Sequence, residues 1–233
     1  MSPAGSADRP GPVRLGYGAE LEQLRLQTEV MGLRVDQNLE RMRQVLVTGD
    51  PRLAATALAA DDEIDAMNVS LTERCYEVLA RENPVASDLR LVVSVVRVIS
   101  ELERVGDLCL RVVKVAVDHE RLTAQARPFD ILCVMADESI DLFRAALRAW
   151  ATDDLDLATE LAIGPRSLDL AYAQLVDALV RLDGPDAAAA AMQALVAGQA
   201  LERIADHASN IATDVIFWIR GADVRHQLSL SMD

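Results

Sequence analysis

Leu102-Glu103-Arg104-Val105-Gly106-Asp107 and Leu201-Glu202-Arg203-Ile204-Ala205-Asp206 repeat one pattern: leucine, glutamate, arginine and, three residues on, aspartate. Each stretch lies in a long run whose apolar residues recur at helical spacing. The displacement that carries Leu102 onto Leu201 also carries Asp107 onto Asp206. A slightly longer one carries Thr48, Asp50, Leu53, Ala54 and Asp65 onto Thr152, Asp154, Leu157, Ala158 and Asp169. The chain is therefore an internal duplication with a shorter connection in its second copy, and the helix-rich unit that is duplicated decides the fold.

Helix punctuation divides each copy into three segments. The first runs from Ala19 to Val47, with Leu21, Leu24, Met31, Val35, Leu39, Met42 and Leu46 at helical spacing, and Thr48-Gly49-Asp50-Pro51 ends it. Asp50 as N-cap with Pro51 behind it predicts a second helix to about Arg81, and Asn83-Pro84 predicts a third to about Arg121. Pro128 opens a fourth segment to about Ala151, Thr152-Asp153-Asp154 caps a fifth to about Leu182, and Asp183-Gly184-Pro185-Asp186 introduces a sixth ending at Arg220-Gly221. Gly164-Pro165 falls inside the fifth segment, where proline removes a hydrogen bond and clashes with the preceding turn, so that helix is expected to kink or break. The expectation is an all-α chain of two tandem three-helix bundles, six long antiparallel helices in all. Its parts are a disordered tail over 1–18, repeats over 19–121 and 128–221, and a C-terminal tail over 222–233.

Composition agrees with that class. Of 233 residues, 51% are apolar, mostly Ala, Leu and Val, and only 3% are aromatic, which favours helices packed on helices. The net charge of −14 makes the average surface repel phosphate backbones and anionic membranes, so no nucleic-acid partner is expected. Cys75, Cys109 and Cys133 share no CxxC spacing and read as reduced, buried thiols of a cytoplasmic protein. Residues 1–18 carry no apolar targeting core, and Leu89 to Val98 falls far short of the roughly 20 residues of a membrane span, so no direct membrane insertion is expected.

The chemistry-bearing residues are carboxylates. Glu103 and Asp107, and likewise Glu202 and Asp206, stand four apart on a helix, about 40° from each other, so each pair can converge on one ion. Arg104 and Arg203 offer a competing reading as intrahelical salt-bridge partners of Asp107 and Asp206. His207 reads as an oriented hydrogen-bonding residue beside Asp206, and Trp150 and Trp218 as packing residues. No nucleophile constellation, Gly-rich phosphate loop or nucleotide motif is present.

The stretches Asn83-Pro84-Val85-Ala86-Ser87-Asp88-Leu89-Arg90-Leu91-Val92, Leu102 to Asp107 and Leu201 to Ala212, the last containing Asp206-His207-Ala208-Ser209-Asn210-Ile211, resemble the hallmark motifs of the PhoU family over about Ala19 to Gly221. That resemblance implies a duplicated three-helix bundle in which acidic residues of some members hold iron or other metal ions. It makes Asp61, Asp65, Glu103 and Asp107 the metal candidates of the first repeat. In the second repeat Pro165 takes the place of one acid, leaving Asp169, Glu202 and Asp206, with Asn210 as a neutral oxygen donor. Oxygen donors favour hard cations such as Mg²⁺, Mn²⁺ or iron, and no cofactor is required. Arg111, a turn beyond Asp107, is expected to compete with a cation there.

The resemblance further implies a non-enzymatic negative regulator of phosphate uptake and of the phosphate-starvation response. It would be a cytoplasmic homodimer acting as adaptor between the ATPase subunit of the phosphate ABC transporter and its sensor histidine kinase. The alternative is a carboxylate-bridged metal bundle with an enzymatic or metal-storage role. Its mark is a Glu-x-x-His pair on two helices, which this chain lacks.

Overall fold

The computed structural model describes residues 12–163 and 166–221, and among them every regular element is a helix. They are α1 (Pro12–Thr48), α2 (Pro51–Glu82), α3 (Ser87–Ala116), α4 (His119–Thr123), α5 (Ala126–Thr152), α6 (Leu155–Ala162), α7 (Arg166–Val180) and α8 (Ala187–Arg220).

Several ends follow the expected chemistry. Asp50 is the N-cap of α2, its Oδ1 accepting from the Arg52 N–H at 2.8 Å, with Pro51 where its missing N–H costs nothing. Asp154 caps α6 in the same way, accepting from the Leu157 N–H at 3.0 Å. Gly221, at φ 72°, closes α8 by donating to the Phe217 carbonyl.

Other ends correct the sequence reading. Asn83 does not start α3; it sits in the left-handed region at φ 50° as the C-cap of α2, and α3 begins only at Ser87, after Ala86, which also has positive φ. Asn suits both an N-cap and a left-handed C-cap, which is why Asn83-Pro84 reads equally well either way. Helix α3 stops at Ala116 rather than near Arg121, and the short α4 fills the connection to α5. Pro128 stands in the first turn of α5, not at its start. Helix α1 begins at Pro12, so residues 12–18 are helical rather than part of a disordered tail. The rest of that expected tail, 1–11, and the C-terminal 222–233 lie outside the described residues. The fifth segment is divided into α6 and α7, with Gly164 and Pro165 between them and themselves outside the described residues.

Helices α1, α2 and α3 pack on one another as one unit, and α5, α6–α7 and α8 as the other. The two units join mainly along α3 and α8, with α1 also lying on α5. The core is aliphatic: Leu24, Met31, Val35, Leu39, Met42 and Leu46 of α1 are fully buried, as are Leu102, Val105 and Val112 of α3 and Leu201, Ile204 and Ile211 of α8. Phe143 and Trp150 supply bulk on α5, and Trp150 meets Trp218 with ring centroids 5.4 Å apart. The leucines of the two Leu-Glu-Arg stretches thus face inward, which turns each glutamate and aspartate beside them to the rim of the helix.

Candidate functional site

In the first repeat α2 brings Asp61 and Asp65, and α3 brings Glu103 and Asp107, to one edge of the bundle. Asp61 is buried at 9% exposure and lies against Gly106; a Cβ at that glycine would stand 3.0 Å from Asp61 Oδ1. The missing side chain is what admits the carboxylate between the helices. Burial pushes the Asp61 carboxyl up to about 6, and the charges of Asp65, Asp107 and Asp62 push in the same direction against Lys114. Glu103 is raised by burial, then by Asp107 and Asp65, with Arg104 opposing. Asp61 and Glu103 therefore each lie in the field of Asp65 and Asp107.

The second repeat builds the same corner from Asp169 of α7 and Glu202 and Asp206 of α8. Burial raises Glu202, and Asp206 and Asp169 add to it. Burial also raises Asp206; His207 and Arg203 oppose, and Asp169 reinforces. Pro165, which replaces the counterpart of Asp61, lies outside the described residues, and Ala205 stands where the first repeat has Gly106. The two differences belong together: a Cβ is present on the facing helix where no carboxylate has to be admitted.

Among the described residues, Arg104 makes no ion pair with Asp107 and Arg203 none with Asp206, so the intrahelical salt bridges of the competing reading are not formed. The charge of Lys114 acts against the rise at Asp61. Among the same residues no three His, Cys, Asp or Glu side chains are gathered tightly enough to hold a metal ion. The acids share a field without being drawn to one point.

Asn210 is placed elsewhere than expected. Its Nδ2 donates to Glu101 Oε2 at 3.3 Å, and His207 Nδ1 lies 2.6 Å from the same oxygen. The carboxylate accepts, so Nδ1 carries the hydrogen, and His207 is oriented by Glu101 of α3 rather than by its neighbour Asp206. This pair belongs to a polar seam along α3 and α8. Arg97 Nη1 lies 3.5 Å from the fully buried Asp214 and its guanidinium 4.7 Å from the centre of the Phe217 ring. Ser94 Oγ donates to the Asp214 carbonyl at 3.3 Å, and Arg90 Nε to the Trp218 carbonyl at 3.1 Å. The signal was present in the sequence as Arg90, Ser94, Arg97 and Glu101, a polar line at helical spacing through an apolar helix; its partner helix was not.

Comparison with known proteins agrees with this architecture. The PhoU domain model matches the chain twice, over residues 28–116 and 132–215. The phosphate-specific transport system accessory protein PhoU homolog of Pseudomonas aeruginosa is 34% identical over 212 residues, covering 90% of this chain and 88% of that protein. The Escherichia coli phosphate-specific transport system accessory protein PhoU is 30% identical over 213 residues, with 90% and 88% covered. The crystal structure of PhoU from Pseudomonas aeruginosa superimposes with a TM-score of 0.83 at 32% identity, covering 88% of this chain and all of that one. The phosphate transport system regulatory protein PhoU from Streptococcus pneumoniae, at 23% identity and a TM-score of 0.77, shares the fold.

Proposed function

The chain belongs to the PhoU family, and from that membership we propose that it is an accessory regulator of phosphate transport that lowers phosphate uptake and the phosphate-starvation response when phosphate is plentiful. The observation that carries this reading is the double match of the family's domain over nearly the whole chain, together with relatives named as accessory proteins of the phosphate-specific transport system. The protein acts by contact, without chemistry of its own, as a cytoplasmic homodimer that joins the ATPase subunit of the phosphate ABC transporter to the sensor histidine kinase. Long helices in a duplicated bundle suit such a role because they offer extended faces to partner helices. No helix among the described residues is long and apolar enough to cross a membrane, so an approach to the transporter through its cytoplasmic subunit accords with the fold. The test is co-purification of the tagged full-length chain with the transporter ATPase subunit and with the kinase. Retention of both on the wild-type chain is expected, and retention of neither contradicts the adaptor reading.

The same reading includes a hard cation at the first-repeat corner. Asp61, Asp65, Glu103 and Asp107 form an all-oxygen donor set whose mutual repulsion calls for counter-charge, and what a cation would supply there is that charge. Because the carboxylates must be drawn together to hold it, the ion is expected to exchange readily. Metal analysis of the purified protein should find Mg²⁺, Mn²⁺ or iron that is lost in Asp65→Ala and in Asp107→Ala. Stoichiometric metal retained in both variants would place the ion elsewhere.

A further inference from the structure

Arg90, Arg97, Arg104 and Arg111 stand seven residues apart along α3, a spacing that keeps them on one stripe of the helix. Helix α8 lies antiparallel beside that stripe, in a register fixed at several points. Arg90 donates to the Trp218 carbonyl, Glu101 accepts from His207, and Gln193 Nε2 donates to Asp118, just past α3, at 2.9 Å. The first two arginines find oxygen on α8, Arg90 at that carbonyl and Arg97 at Asp214. The next two do not. Between the Glu101 and Asp118 contacts the register sets Arg104 and Arg111 beside residues 199–207, where α8 presents Arg203, four residues before His207 and on the same edge. Arg104, Arg111 and Arg203 are exposed, and among the described residues none makes an ion pair or a side-chain hydrogen bond. Arg104 acts on Glu103 and Arg203 on Asp206 through charge without closing a pair, and those acids belong to the two corners. Val196, eleven residues before His207, and Met192, one turn further, continue the same edge of α8 as exposed apolar residues, at 37% and 69%.

The geometry points to the outer face of the α3–α8 seam as the docking site for an acidic amphipathic helix of a partner protein, with Asp or Glu on Arg104, Arg111 and Arg203 and aliphatic side chains on Val196 and Met192. The inference rests on the reading that the chain works by contact and adds the surface and the chemistry of the partner. Charge and spacing select the occupant. At 1.5 Å per residue Arg104 and Arg111 are about 10.5 Å apart, the separation of two carboxylates seven residues apart on another helix. A positive strip with an acidic corner on either side takes one helix, whereas a broad anionic surface such as a membrane would also meet Asp107 and Asp206. A chain of net charge −14 repels an acidic partner elsewhere, so this face also sets how the partner docks. A second copy bound through the same face would set arginine on arginine across the two-fold axis. The duplication does not repeat the stripe: Ala189, Val196 and Asn210 stand where α3 has Arg90, Arg97 and Arg111, and Arg203 alone is kept.

The test uses the full chain and two synthetic helical peptides of leucine and glutamate, equal in composition, one with glutamates at seven-residue spacing and the other shuffled. Fluorescence anisotropy should show binding of the first that weakens as salt is raised, and about tenfold weaker binding of the second. A photo-crosslinker at the centre of the first peptide should attach to α3 or α8. Arg104→Gln with Arg203→Gln should weaken binding by about tenfold or more, while Arg127→Gln with Arg148→Gln, the same loss of charge from exposed positions on α5, should leave it unchanged. No binding of the first peptide, equal binding of the two, equal loss in both double variants, no loss in the first, or attachment to other helices would each overturn the assignment. Cells distinguish failure of this face from failure of the regulatory role. A deletion strain fully restored by the Arg104→Gln, Arg203→Gln chain rejects the face while regulation stands; a deletion with normal phosphate uptake rejects regulation and leaves the peptide result to judge the face.

Discussion

Asp61 occupies a place where ionisation is opposed by burial and by three neighbouring aspartates, with the charge of Lys114 acting in its favour. With its folded-state value near 6 and an unfolded value near 4, the folded chain keeps a proton across that window that the unfolded chain has released. Stability therefore falls as pH rises from about 4 to about 6, and the cost is complete above that. Glu103, Glu202 and Asp206, raised for the same cause, act with the same sign. Asp61→Asn should stabilise the metal-free protein by about 1–2 kcal/mol at pH 7 and by little near pH 4. Urea unfolding at the two pH values checks it; an equal effect at both, or a loss at pH 7, contradicts the origin assigned to the shift. The four acids were legible from their spacing and from the family resemblance. That Asp61 is the buried one was not, because it depends on a glycine more than forty residues away, on another helix.

At the scale of the elements, the α3–α8 seam binds the two repeats with groups that have no counterparts under the duplication: Leu108 stands for His207 and Arg111 for Asn210. Glu101 is the acceptor for both His207 and Asn210, so removing it leaves two donors beside a tightly packed interface. A double-mutant cycle on Glu101→Ala and His207→Ala should return a coupling of about 1–3 kcal/mol by denaturant unfolding. Additive effects would mean that the pair contributes nothing together. Helix ends were read well where one residue type has one use, as with Asp50-Pro51, and poorly at Asn83-Pro84, where asparagine serves two. The pairing of α3 with α8 could not be read from either helix, since periodicity identifies a buried or polar face but not what lies against it.

For the whole molecule, the duplication explains why two acidic corners exist and why they are unequal. The first keeps Asp61 against Gly106 and so carries four carboxylates, while the second, with Ala205 and a divided helix, keeps three. Both corners stand within one bundle that the α3–α8 seam holds together. The architecture was open to reading from the sequence because a repeated motif counts the helices twice, and the function was open to it only through the family resemblance, since the residues of a contact surface carry no catalytic signature. The central claim is that this chain restrains phosphate uptake, and the most direct measurement is the initial rate of phosphate uptake in phosphate-rich medium by a strain from which the gene, and any second copy, has been deleted. Uptake well above the parent strain, returned to the parental rate by the wild-type chain, is the predicted result; parental uptake in the deletion strain would contradict the account.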